Sequence, residues 1–122
     1  MLIVEYKTLT ANIMDLQTRI ERQRIHHIID SYNLQGNDSI EFKQRLEHLF
    51  ADYETTRIEL AIVDTLILTW MALPPLKGLD FIDRVELRLT ANLPTLVTAI
   101  HYKAITGLDG SHLFLRENVK MT

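Results

Sequence analysis

The sequence predicts an all-α protein: an up-and-down antiparallel bundle of three long helical segments, the third kinked or split at Pro94, completed by dimerisation. Three observations predict it. Apolar residues recur at spacings of three and four along most of the chain. The turn-forming residues are gathered into three runs, "QGNDS" (Gln35 to Ser39), "PPLKG" (Pro74 to Gly78) and "GLDGS" (Gly107 to Ser111). The connections so marked are short, which suits antiparallel neighbours. No internal repeat, low-complexity run or Gly/Ser/Pro linker divides the 122 residues, so a single domain, 1–122, is expected.

In the first segment Leu9, Ile13, Leu16 and Ile20 follow spacings of four, three and four and mark one helix face. Thr8 or Thr10 suits its start, and Gly36 stands where a left-handed residue would end it. The second segment opens on Asp38 with Glu41 three residues on, a capping-box arrangement with Asp in place of Ser or Thr. From there Phe42, Leu46, Leu49, Tyr53, Leu60, Ile67 and Met71 keep one stripe as far as the double proline. This predicts a single helix from about Ser39 to Leu73, roughly 50 Å long at 1.5 Å per residue.

From Arg57 onward that helix is apolar nearly all round, with Ile58, Ile62, Val63, Leu66 and Trp70 outside the main stripe. Such a helix needs neighbours on several sides, which predicts a homodimer with a four-helix or six-helix core. In the third segment Asp80 caps a stripe of Phe81, Ile82, Val85 and Leu89, and a further stripe of Leu96, Val97, Ile100 and Ala104 runs to Gly107. Pro94 falls between them, with Asn92 as the new cap. At the ends, "LIVEY" and "HLFLREN" suit a short strand or a helix extension, and the role of 108–122 is left open.

Composition removes several function classes. The chain has no cysteine, hence no disulfide, thiolate nucleophile or cysteine metal site. The formal charge of −3 is spread along the chain without a basic run, which argues against nucleic acid as a partner. "MLIVEYK" is too short for a signal peptide or a span, and "LAIVDTLILTWMAL" (Leu60 to Leu73) carries Asp64 and is shorter than a bilayer requires. The expected address is the cytoplasm, with no membrane partner.

The stretch "RQRIHHIID", Arg22 to Asp30, draws attention first. Adjacent helical residues point about 100° apart, so His26 and His27 do not share one ion. His26 falls on the polar side with Arg19, Arg22 and Asp30, and Asp30 is four residues on, within reach of its ring. His27, seven residues past Ile20, extends the first apolar stripe and is expected on the packing side. A metal site would need His26 and Asp30 with His48 or His101, and the chain has neither HExxH nor the Glu-x-x-His pairs of di-iron bundles. No metal and no cofactor are expected.

In the second segment Arg57 and Asp64 lie seven residues apart within the apolar stripe, Asp64 having Leu60 and Leu68 four residues on either side. A buried acid is expected, and it requires a partner. The favoured role is a structural ion pair or hydrogen bond that fixes register, Arg57 meeting Asp64 across a dimer axis. The competing role is a perturbed acid lining a cavity. The carboxylates of "DFIDRVE" (Asp80, Asp83, Glu86) suit a helix N-terminus better than Mg²⁺. His101, at the edge of the last stripe, suits half-buried packing.

Two resemblances attach to the histidine stretch. Arg22 with His27 is similar to the Arg and His that small ribonucleases of the HEPN type set on one helix, which implies action on RNA phosphate by Arg22 with His26 or His27. "ERQRIHHIID" (Glu21 to Asp30) resembles the dimerisation and phosphotransfer hairpin of one histidine-kinase subgroup, with Asp30 standing where that family has its phospho-accepting His. That likeness implies a dimeric helical hairpin or a phosphorelay component. The leading expectation is a small, non-enzymatic adaptor or regulator that binds another protein, and the ribonuclease (a toxin) and the phosphorelay component are its competitors. The partner, the process and any ligand are not readable from the sequence.

Overall fold

The computed structural model describes residues 2–114, with side chains from Leu16 onward. The described chain is helical: α1 Leu2–Tyr32, α2 Ser39–Asp52, α3 Thr55–Thr69, α4 Gly78–Thr90 and α5 Ala99–Thr106, followed by a single 3-10 turn at Ser111–Leu113. "LIVEY" is the start of α1, and "HLF" ends in the 3-10 turn, whereas 115–118 lie outside the described residues.

Three segments thus become five helices. The expected continuous helix from Ser39 to Leu73 is two helices, because Tyr53 (φ −134°, ψ 154°) and Glu54 (φ −65°, ψ 143°) are extended and redirect the chain. No Gly or Pro marks this break. Glu54 sits at the cap position of α3, its carbonyl accepting from Ile58 N–H at 3.1 Å, while Thr55 Oγ1 hydrogen-bonds the Glu21 carboxylate of α1. The break also resets the phase of the stripe. In α3 the buried face carries Ile58, Ala61, Ile62, Val63 and Leu66, and the supposed main stripe of Leu60, Ile67 and Met71 is half-buried or exposed.

Two helices end on a left-handed asparagine rather than as the sequence pattern suggests. Asn33 (φ 49°) ends α1: its N–H bonds Asp30 O at 3.2 Å, and Leu34 N–H bonds Ile29 O at 3.0 Å. These are the paired bonds of a Schellman motif, closed by the burial of Ile29 and Leu34. The expected terminator Gly36 comes later and shapes the loop, with φ +54°. Asn92 (φ 52°) does for α4 what Asn33 does for α1, through Asn92 N–H to Leu89 O and Leu93 N–H to Arg88 O, both 3.2 Å. It ends a helix rather than starting one. The cap of α5 is Thr98, whose Oγ1 accepts from His101 N–H at 3.3 Å, and Gly107 (φ 73°) ends that helix.

Asp38 does stand at the start of α2, but its side chain does not close a capping box. Its Oδ2 accepts from Leu79 N–H at 3.3 Å, tying the start of α2 to the start of α4. Gly78 opens α4 two residues before Asp80, which is therefore a first-turn residue and not the cap. Gly78 N–H reaches Leu34 O at 2.6 Å, so the first two turn-rich runs meet at one place.

The core is one cluster drawn from all five helices, including Ile25, Ile28 and Ile29 of α1, Phe42 and Leu46 of α2, Phe81, Ile82 and Val85 of α4, and Tyr102 of α5. Helix α3 is central and packs against α1, α2, α4 and α5. The neighbours its apolar surface requires therefore come from its own chain, except at its C-terminal end.

Candidate functional site

Asp64 is 2% exposed, as its apolar flanks suggest, but its partners come from the α4–α5 connection rather than from Arg57. Its Oδ1 accepts from Thr95 Oγ1 at 3.0 Å and Leu96 N–H at 2.9 Å, and its Oδ2 faces Arg88 Nη2 at 3.5 Å. Arg88 also donates to Pro94 O at 2.9 Å. Residues 94–96, which have no helical hydrogen bonds of their own, are thus held against α3 by one carboxylate and one guanidinium. The charge stays in the interior because it is both paired and hydrogen-bonded.

Arg57 lies close by without touching Asp64. It donates to Leu89 O at 3.3 Å and to Asn92 Oδ1 at 3.0 Å, with its guanidinium 5.3 Å from the Tyr53 ring. Arg57, Asp64 and Arg88 line a half-open cleft of about 130 Å³, walled by Leu60, Ala61, Leu89 and Leu93. Acid and cleft coincide, as the competing role required. Within the cleft, however, the carboxylate already faces Arg88 and holds Thr95 and Leu96.

A second buried polar group went unread in the sequence. Glu59 is 2% exposed and faces Arg24, with Arg24 Nε to Glu59 Oε1 at 3.0 Å. The Tyr102 hydroxyl donates to Glu59 Oε2 and accepts from Arg24 Nη2 at 3.0 Å, and Arg24 Nη2 also reaches Asp109 O at 2.8 Å. One network thereby ties α1, α3, α5 and the Gly107–Ser111 turn together. Burial pushes the Tyr102 hydroxyl to higher pKa, and the neighbouring Glu59 carboxylate pushes it further. Burial alone would lower the Arg24 pKa, but Glu59 and Tyr102 outweigh it and raise it. In the sequence Arg24 belongs to the polar run before Ile25, and Glu59 follows Ile58. Neither residue looks odd without knowledge of which face is buried.

The histidine stretch is ordered differently from expectation. His26 is half-buried, its ring 6.4 Å from Phe50 in an edge arrangement, and the Arg22 guanidinium lies 4.5 Å from the centre of the same ring. Arg22 also faces Glu47 at 3.8 Å. His27, expected on the packing side, is exposed, as is Asp30. The reason is angular. Ile25, Ile28 and Ile29 carry α1 against the bundle, and the stripe that ends in His27 points away from them. His101 is exposed rather than half-buried. Asp83 and Glu86 flank Arg45 of α2, with Asp83 at 2.8 Å, a clamp between α2 and α4. Among the described residues no group of three His, Asp or Glu is placed to hold a metal ion.

Among the described side chains, Met71 (87%) and Leu73 (92%) at the end of α3 are the most exposed large hydrophobics, close in the chain to Ile67, Leu68 and Trp70 (63%). A cleft of about 360 Å³ opens there between Leu66, Ile67, Trp70, Met71 and Ile105. No described helix is long and apolar enough to cross a membrane.

Fold and site together define a class: a small helical protein in which the buried acids Glu59 and Asp64 are paired within the chain and an apolar patch is exposed at the end of α3. Known protein families, curated proteins and solved structures yield no match to the chain.

Proposed function

We propose that this protein is a small, non-enzymatic cytoplasmic adaptor or regulator that works as a homodimer and binds another protein through the end of α3. The observation that carries the reading is the exposed apolar surface of Ile67, Trp70 and Met71 on the Leu66–Ile105 cleft, with Leu68 and Leu73 also exposed in the same stretch of chain. Surface of this kind is costly to leave in water and commonly marks an interface. The cleft is lined by apolar residues, so the partner it suits presents bulky aliphatic or aromatic anchors, as an amphipathic helix does in a groove. Asp64 and Glu59, the two buried acids, support a scaffold reading because each is bound to a basic residue of its own chain.

Trp70 is the only tryptophan, which makes it a reporter of its own surface. In the free protein its emission is that of a solvated indole. Addition of the partner shifts it to the blue, and Met71→Asp removes both the shift and co-purification of that partner from the native cell while leaving the far-UV spectrum unchanged. Identical co-purifying proteins for the wild type and Met71→Asp would end the reading.

A further inference from the structure

Helix α1 has two faces with different uses. From Ile25 to Ile29 it packs into the bundle. Leu16 and Ile20, which precede this part, are 58% and 50% exposed. Ile25 lies nine residues past Leu16, and Ile29 nine past Ile20, which at 100° per residue is about half a turn round the helix. Leu16 and Ile20 are therefore turned away from the face that Ile25 and Ile29 set against the bundle, and both stay half or more exposed. The part of α1 from Leu2 to Ile20, about 19 residues, is about 28 Å long at 1.5 Å per residue. A helix of that length in water is marginal without an apolar face to pack.

The sequence of that stripe says what covers it. Leu2, Tyr6, Leu9, Ile13, Leu16 and Ile20 follow each other at steps of four and three without interruption. In heptad terms Leu2, Leu9 and Leu16 occupy d, and Tyr6, Ile13 and Ile20 occupy a. Isoleucine at two of the three a positions, with leucine at every d, is the pattern that parallel two-stranded coils favour. The next members of the register are Gln23 and His27, both exposed, so the apolar repeat stops as α1 turns its other face to the bundle.

We infer that the partner of this face is a second copy of the chain, and that the dimer is a parallel, in-register coiled coil of the N-terminal part of α1. This rests on the homodimer named above and gives its place and direction; it is independent of the surface at the end of α3. Each subunit brings its bundle to the same end of the coil, and both Trp70 surfaces remain open.

Light scattering or sedimentation of the full chain gives a dimer, while Leu16→Glu with Ile20→Glu gives a monomer with the far-UV spectrum and cooperative unfolding of a folded bundle, since both positions are exposed. A wild type that is monomeric at tens of micromolar overturns this inference together with the dimer. A double variant that remains dimeric overturns the location and leaves the dimer standing. Direction is read from single cysteines, which are unambiguous in a chain with none. Leu9→Cys and Ile20→Cys, each alone, oxidise to self-linked dimers in a parallel coil. Cross-linking found only when the two variants are mixed means antiparallel strands and overturns the direction.

Discussion

At the scale of single residues, the interior is organised by two carboxylates. Asp64 holds the α4–α5 connection, and Glu59 holds α1 and α5 through Arg24 and Tyr102, Arg24 reaching on to Asp109 O in the turn beyond. Removing one member of a buried pair leaves the other charge without compensation, which typically costs about 3–5 kcal/mol. Asp64→Ala is expected toward the lower end, about 3 kcal/mol in urea unfolding, because Arg88 keeps Pro94 O as an acceptor. A loss below about 1 kcal/mol would show that the carboxylate is not retained for stability.

Tyr102 links protonation to folding. Its pKa is raised in the folded protein, first by burial and then by Glu59. The neutral hydroxyl is thus favoured by folding: its contribution is complete below the ordinary tyrosine value of about 10 and is lost as pH rises beyond it. Tyr102→Phe loses stability near neutrality, about 1–2 kcal/mol for a hydrogen-bonded buried hydroxyl beside charged groups. Between pH 10 and 11 the wild type falls toward the variant, and the gap between their unfolding midpoints narrows. A constant gap would mean that the hydroxyl does not titrate with folding.

At the scale of elements, helix ends decide the architecture. The helix ends at Asn33 and Asn92 and the Tyr53–Glu54 break carry no Gly or Pro; asparagine serves at the two ends because it tolerates the left-handed region at a modest cost. Glycine matters most where two elements touch. A Cβ on Gly78 would lie 2.3 Å from Asp38 Oδ2, whereas one on Gly107 would meet nothing within 4 Å, although both have positive φ (65° and 73°). Gly107→Ala is expected to cost about 1–2 kcal/mol, the left-handed penalty alone. Gly78→Ala costs more, and the excess shrinks in an Asp38→Ala background, as a double-mutant cycle on thermal unfolding would register. Equal costs at the two glycines would remove the α2–α4 contact from the account.

At the scale of the whole molecule, the helical class and its punctuation were legible, and so was the burial of Asp64. Spacings of three and four are local, and an acid between leucines on one face is a local pattern. The same locality explains the errors. His27 continues the spacing of Ile20, but which side of α1 meets the bundle depends on Ile25, Ile28 and Ile29 joining the core, and that is not written in α1. The ribonuclease alternative meets its test at this scale too. Arg22 and His26 converge on the Phe50 ring while His27 faces solvent, so purified protein is expected to leave RNA intact in EDTA. Degradation abolished by Arg22→Ala and by His26→Ala or His27→Ala would replace the adaptor reading.

The sequence by itself determined the helical class, the three turn-rich connections and the acid that had to be buried, because each depends on residues within a few turns of one another. Only the tertiary structure decided that the second segment is two helices, that Glu59 joins Arg24 and Tyr102 across 35 and 43 residues of chain, and which apolar faces stay open. Those depend on which elements meet, and the free energy of that choice is shared over the whole core.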